Sequence, residues 1–313
     1  KGLVNAVLRR LSQEGPPLVE RQDAARLNTP RWLWEAWSRA YGEQNARATA
    51  LMHMREAPLD ITVRTDPEEW SKRLEATVLP TGSLRRTAGG AIANLSGYGD
   101  GAWWVQDAAA AIPAKLIGDI QGKRVFDLCA APGGKTAQLI AAGGNVTAVD
   151  RSPRRLTRLQ SNLARLSLPA ETVCADAAAW TPERKADAAL LDAPCTATGA
   201  IRRHPDVPHL KTPDDVARLA AVQERLLAAA VDLLVPGGTL IYCTCSLEPE
   251  EGHIQVDRLL ARGAPVVRKP VTPDELGGLS EIISPEGDLR TLPGHLGDMD
   301  GIDGFYAARL IRT

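Results

Sequence analysis

Cys195 and Cys245 each close a short apolar run and sit among turn-forming residues, in DAPCTATG and YCTCSLEP. A single free cysteine is by default a small core residue, and Cys243, inside the apolar run before Cys245, is read that way. Two cysteines at the ends of neighbouring strands point instead to a reactive pair. Dithiol reductases carry CxxC on one turn, which this sequence lacks. The chemistry favoured is a cysteine nucleophile with an aspartate partner. Three aspartates fall at equivalent places: Asp150 ends NVTAVD, Asp176 follows TVCA, and Asp192 stands just before Pro194-Cys195.

A glycine turn completes the set. RVFDLCAAPGGKTAQLIAA reads as a buried strand, a turn at Cys129, Ala130, Ala131, Pro132, Gly133, Gly134 and Lys135, and a helix. In doubly wound α/β sheets ligands sit at such a junction, where helix N–H groups face the strand's carboxyl end. The turn lacks the spacing of GxGxxG and the earlier glycine of GxxxxGK[ST], so a phosphate loop is poorly supported. An adenosine ligand without a pyrophosphate fits, with Asp150 where such folds hold a ribose diol. Taken singly, Asp150 and Asp176 are equally well read as helix caps.

These residues need a sheet that delivers them to one rim. Strands are expected at 124–129, 145–149, 171–174, 187–191 and 238–243, alternating with helices near 134–142, 153–166, 213–235 and 249–262. Short apolar strands with helical crossovers imply a mostly parallel sheet covered on both faces. Its strand ends would gather three carboxylates, thiols and the glycine turn, a set that packing alone does not explain. GFYAARLIR is expected to complete the sheet edge, and Gln106 to Ile117 to be helical.

Upstream, Lys1 to Glu14 reads as an amphipathic helix ended by Gly15-Pro16-Pro17, and Thr29 to Met54 as helical, with Trp32, Trp34 and Trp37 as core. LDITVR, ATVLPTG and AIANLSG read as strands around a helix from Pro67 to Glu75, giving a small α+β subdomain that ends near Gly97 to Gly101. Arg85 and Arg86 would be its exposed cations. After the Cys195 loop, Arg202, Arg203 and His204 form a basic run suited to phosphates. Arg151, Arg154, Arg155, Arg158 and Arg165 on the helix after Asp150 serve equally as a solvated face.

The 313 residues carry 37 basic and 38 acidic side chains, a net charge of −1, so any nucleic-acid surface is a local patch. Five cysteines without zinc-ligand or disulfide spacing indicate no metal and a reducing, cytoplasmic setting. No apolar run reaches membrane-spanning length and no signal peptide is recognisable. Lacking an initiator Met, the chain is expected to be part of a longer protein. No obligate protein partner is indicated.

FDLCAAPGGKT, AVD, LLDAPCTATGAIRRHPD, YCTCSLEPEE and LPG…DGFYAARL resemble the signature blocks of the S-adenosylmethionine-dependent RNA cytosine-5 methyltransferases. IRRHPD and the N-terminal texture are similar to the RsmB/Sun (Fmu) family of bacterial 16S ribosomal RNA enzymes, over essentially the whole chain. The resemblance implies a Rossmann-like class I methyltransferase with a mostly parallel seven-stranded sheet over 101–313. It also implies an RNA-positioning subdomain over 15–100, and over 1–14 the last helix of a truncated NusB-like RNA-binding domain.

By the same resemblance Cys129 to Lys135 would line the methionine end of S-adenosylmethionine, Asp150 the ribose and Asp176 the adenine. Asp192 would stand between cofactor and base. Cys245 would be the nucleophile and Cys195 the residue that helps release product. Thr196 departs from the Ser of many relatives and keeps the hydroxyl. Rival readings are a DNA cytosine-5 methyltransferase, which uses a Pro-Cys nucleophile, a tRNA enzyme, and an assembly factor that retains a cofactor pocket.

Overall fold

A computed structural model describes residues 1–313. The first helix, α1 (Gly2–Glu20), has no buried residue and runs through Pro16 and Pro17, beyond the expected end at Glu14. Proline's φ is compatible with a helix, but each ring removes a backbone donor, and α1 buries no residue whose packing would offset that loss. The stretch expected to be helical over 29–54 is two helices, α3 (Arg31–Tyr41) and α4 (Glu43–His53), preceded by a short α2 (Ala24–Leu27). Gly42, at φ +81°, divides α3 from α4, a backbone conformation that favours glycine. Leu33, Trp37 and Ala46 pack against Ile201, Leu247 and Leu292. These helices therefore brace the segments that follow both reactive-cysteine candidates.

The small subdomain comprises β1 (Leu59–Val63), α5 (Pro67–Leu74), β2 (Thr77–Val78), β3 (Leu84–Arg86) and β4 (Trp103–Val105), with an antiparallel sheet in the order β2-β3-β1-β4. Two expectations change. AIANLSG forms a short 3-10 turn (Ile92–Asn94) and no strand, whereas LRR at 84–86 pairs with β1. Arg85 is buried, its guanidinium 2.7 Å from each Asp60 carboxylate oxygen, so an exposed role for it is withdrawn. Because β4 pairs with β1, this sheet also extends past the boundary expected near Gly97 to Gly101.

Beyond it come α6 (Ala108–Lys115), β5 (Arg124–Leu128), α7 (Gly134–Ala141), β6 (Asn145–Asp150), α8 (Pro153–Arg165), β7 (Glu171–Cys174) and β8 (Ala186–Asp192). They are followed by α9 (Val207–Leu210), α10 (Pro213–Asp232), β9 (Leu234–Thr244), α11 (His253–Ala261), β10 (Val266–Arg268), β11 (Leu289–Thr291) and β12 (Phe305–Arg312). The sheet order is β10-β12-β9-β8-β5-β6-β7, parallel from β9 to β7. An eighth strand, β11, pairs with β12 alone.

β12 lies between β9 and β10 instead of at the edge. Phe305 to Leu310 are all buried, and a strand apolar on both faces needs cover on both. Alternation along the strands sends Val125, Leu190 and Ile241 towards α6 and α7, and Phe126, Leu191 and Tyr242 towards α10 and α11. This two-sided core holds the carboxyl ends of β5, β6, β8 and β9 on one rim.

Candidate active site

At the end of β5 the chain turns through Cys129 (φ +62°) and Gly133 (φ +101°) into α7. Asp150, 2% exposed, ends β6 and accepts hydrogen bonds from the N–H groups of Ala131 (3.2 Å) and Ser152 (2.9 Å). It ties the glycine turn to the next strand. Asp176, after β7, accepts from the Ala178 N–H at 3.0 Å and from Arg225 at 2.9 Å. That Arg225 hydrogen bond holds its carboxyl below the usual range. Cys129, Asp150, Asp176, Val149, Ala177 and Leu226 line a cleft of about 220 Å³ that extends to Asp192, Cys195 and Cys245.

On the far side of Asp192 lies a larger cavity of about 830 Å³. Ala130, Pro132, Gly133, Gly134 and Lys135 face this cavity, so the turn does not act as one surface. Of the expected cofactor stretch, only Cys129 lines the smaller cleft. Lys135 Nζ meets Asp192 Oδ2 at 2.8 Å, and burial, which alone would lower its pKa, is outweighed by that carboxylate. Arg158, Arg165 and Arg203 add positive charge to the cavity wall, with Trp104 and Tyr98 as its aromatic groups.

The two thiols meet, with Cys195 Sγ 3.5 Å from Cys245 Sγ. Their hydrogen bond, then burial, pushes the Cys195 thiol upward. Burial, with Asp192 and Asp150 nearby, pushes Cys129 up to about 12, which disfavours a thiolate there. Cys243 is fully buried in the core, its Sγ 3.8 Å from Asp192 Oδ1. Gly199 allows the close approach behind the Cys195 loop, since a Cβ there would come within 2.0 Å of the Gly304 carbonyl. Its own N–H donates to the Cys245 carbonyl at 3.0 Å.

The basic run after Cys195 is corrected by its partners. Arg202 is 7% exposed and bonds Asp303 (2.9 Å), Asp107 (3.1 Å) and the Asp300 carbonyl (2.8 Å). Its donors are used inside the protein, so Arg202 is withdrawn as a phosphate contact. Arg203 shares both carboxylates but lines the larger cavity, as does the exposed His204.

Two acids of the site escaped the sequence reading. Asp127, in FDLC, is fully buried, with Oδ2 on the Thr136 hydroxyl and Oδ1 without a partner, and burial raises it to about 7. Glu251, in LEPEE, lies between the two cysteine loops. An acid inside an apolar strand and an acid run behind a cysteine were the available signals.

A mostly parallel sheet with an antiparallel β12 beside β9, and an acid-lined cleft beyond the carboxyl ends, are the architecture and site expected of an S-adenosylmethionine-dependent methyltransferase. The donor set fits that cofactor, with carboxylates for hydroxyl and amine donors and apolar Val149, Ala177 and Leu226 for a flat base. Residues 116–311 match the family described as 16S rRNA methyltransferase RsmB/F. The chain belongs to that family of ribosomal RNA methyltransferases.

Ribosomal RNA small subunit methyltransferase B of Erwinia tasmaniensis is 37% identical over 334 residues, covering 100% of this chain and 73% of that protein. The protein of the same name from Pseudomonas putida is 37% identical over 336 residues, with the same coverage. Among solved structures, a methyltransferase homologue from Pyrococcus horikoshii aligns with a TM-score of 0.76 at 25% identity, covering 92% of this chain and 97% of its own. NSun6 from the same organism, solved with SFG, has the same fold, with a TM-score of 0.77 at 20% identity over 90% of this chain and 98% of its own.

Proposed function

We propose that the protein methylates carbon 5 of a cytosine in RNA, with 16S ribosomal RNA as the substrate, through a covalent bond between Cys245 and carbon 6 of the base. The observation that carries this reading is the meeting of two thiols 3.5 Å apart in the smaller cleft, whose wall they share with Asp192, the residue that also lines the larger cavity. Asp150 would hold the ribose diol of S-adenosylmethionine, Asp176 the adenine amine, and Cys129 would lie along the methionine end. When bound there, S-adenosylmethionine supplies an electrophilic methyl group on a sulfonium.

Carbon 5 of cytosine is too weak a nucleophile for that group. The Cys245 thiolate adds to carbon 6, forming a C–S bond and moving electron density to carbon 5. Asp192, held by Lys135 at 2.8 Å, would meet the N3 and N4 edge of the base and favour the protonated ring that accepts attack. Once carbon 5 carries the methyl group, its proton passes to a base beside Cys195. The electron pair restores the C5–C6 double bond and expels Cys245 as thiolate. A stacked, paired base cannot reach the thiols, so the target is single-stranded or flipped out. The cationic and aromatic wall of the larger cavity suits the approach of such a strand.

The test is methyl transfer to small-subunit ribosomal RNA, to tRNA and to DNA of matched sequence, with the product mapped by bisulfite sequencing. Carbon 5 methylation of ribosomal RNA alone is expected. Methylated DNA or tRNA would move the substrate, and a product other than 5-methylcytosine would end the covalent scheme.

A further inference from the structure

Two loops from different parts of the chain, one after β8 and one after β9, bring Cys195 and Cys245 together. Between them lies one carboxylate. Glu251, fully buried in the turn Pro249–Glu251, uses Oε1 to accept from the Thr196 N–H (3.0 Å) and the Gln223 amide (3.0 Å). Its Oε2 accepts from the Ser246 hydroxyl (2.6 Å) and the Thr196 hydroxyl. Thr196 and Ser246 are the residues that immediately follow the two cysteines. Gln223 donates in addition to the Pro194 carbonyl at 2.9 Å, so Cys195 is fixed through the residue on either side of it. The Glu251 backbone carbonyl accepts from the Tyr242 hydroxyl (2.8 Å) and the Thr244 hydroxyl (3.1 Å). That joins the carboxylate to β9, whose last residue precedes Cys245.

We propose that Glu251 is a positioning residue, a buried carboxylate that clamps the Cys195 loop to the Cys245 loop and sets the distance between the two thiols. The donors to its carboxylate are one side-chain amide, one backbone N–H and two hydroxyls. A buried acid held by neutral donors is costly, and apolar residues of similar volume commonly match or exceed buried charge in stability. What the carboxylate supplies that an apolar filler would not is four directed acceptor contacts, three from the two loops and one from Gln223 on α10. Asp150 and Asp176, at the cofactor end of the cleft, are held by Ala131, Ser152, Ala178 and Arg225 and not by Glu251, so cofactor affinity is separable from clamp function. The catalytic consequence rests on the reading of Cys245 as nucleophile and Cys195 as release residue; the geometric part does not.

The experiment has two arms, run on wild type, Glu251→Gln and Glu251→Ala, with S-adenosylmethionine affinity by calorimetry as the control for folding. In the first, diamide takes the two thiol hydrogens and is itself reduced to the hydrazine. Mass spectrometry then follows the rate at which the Cys195–Cys245 disulfide forms. Wild type is expected to cross-link readily. Glu251→Ala is expected to be slower by about tenfold or more, and Glu251→Gln, which keeps one acceptor oxygen, by about threefold, as the loss of hydrogen bonds to a charged group implies. In the second arm, kcat for RNA methylation is expected to fall in the same order while KM for S-adenosylmethionine stays within about twofold of wild type.

Wild-type cross-linking in Glu251→Gln, or in a Glu251→Ala protein that binds cofactor normally, overturns the clamp. Slowed cross-linking with unchanged kcat overturns the positioning role while leaving the geometry intact. If Cys245→Ala in the wild-type background also retains methylation, the fault lies in the cysteine reading and not in Glu251.

Discussion

Asp107, Asp303, Arg202 and Arg203 bury charge about as deeply as the rim of Asp127, Lys135, Asp150 and Asp192, yet the two clusters end differently. In the first, Arg202 meets two carboxylates and a backbone carbonyl, and Arg203 shares the same carboxylates. In the second, Asp127 Oδ1 has no partner, and Asp192 keeps a third of its side chain exposed, with cavities on both sides. The segment from Asp192 to His204 passes through both clusters. Buried charge saturated by protein groups fixes the chain's path, whereas buried charge left open towards a cavity is available to a ligand.

The largest test of that contrast is Cys245→Ala. Radiolabelled methyl incorporation into small-subunit ribosomal RNA should fall by about a thousandfold or more, as for loss of a nucleophile, with calorimetric cofactor affinity unchanged. Retained turnover would remove Cys245 from the chemistry. Next comes Arg202→Ala, which leaves Asp107 and Asp303 buried with Arg203 as their remaining cation. Denaturant unfolding should show a loss of about 3–5 kcal/mol, with little change in the salt dependence of RNA binding. A stable variant with weakened RNA binding would return Arg202 to the substrate surface.

Asp150→Ala should weaken S-adenosylmethionine by about 1–3 kcal/mol, the cost of leaving diol donors unpaired. Unchanged affinity would confine Asp150 to its two backbone N–H groups. The smallest effect is expected for Cys243→Ala, about 1 kcal/mol of packing with turnover nearly unaltered. A large loss of turnover would show that its contact with Asp192 matters to the reaction.

Much of this contrast lay in the sequence, and the part that did not has a common cause. The parallel strands were readable because each is a short apolar run ending in a polar group, a pattern set locally. The sequence pattern alone therefore brings Cys195, Cys245, Asp150, Asp176 and Asp192 to one rim. Arg202 could not be read, since its partners Asp107 and Asp303 lie 95 and 101 residues away, and side-chain type alone does not distinguish a paired guanidinium from a free one. The same holds for Arg85, whose partner Asp60 lies 25 residues away on β1, the strand that LRR pairs with. The strand character of β12 is local, while its position between β9 and β10 depends on distant neighbours. Glu251 was invisible because its meaning comes from two loops that only the fold joins.

The central claim, that the two thiols divide attack from release, is tested most directly by denaturing electrophoresis of each cysteine variant after incubation with RNA and S-adenosylmethionine. On the proposed scheme Cys245 in Cys195→Ala still attacks the base and carbon 5 still receives the methyl group, but expulsion of Cys245 is impaired, so a protein–RNA band should accumulate and survive denaturation. Cys245→Ala should give no such band. A band in Cys245→Ala and none in Cys195→Ala would reverse the assignment, and no band in either, with turnover lost in both, would contradict the covalent route.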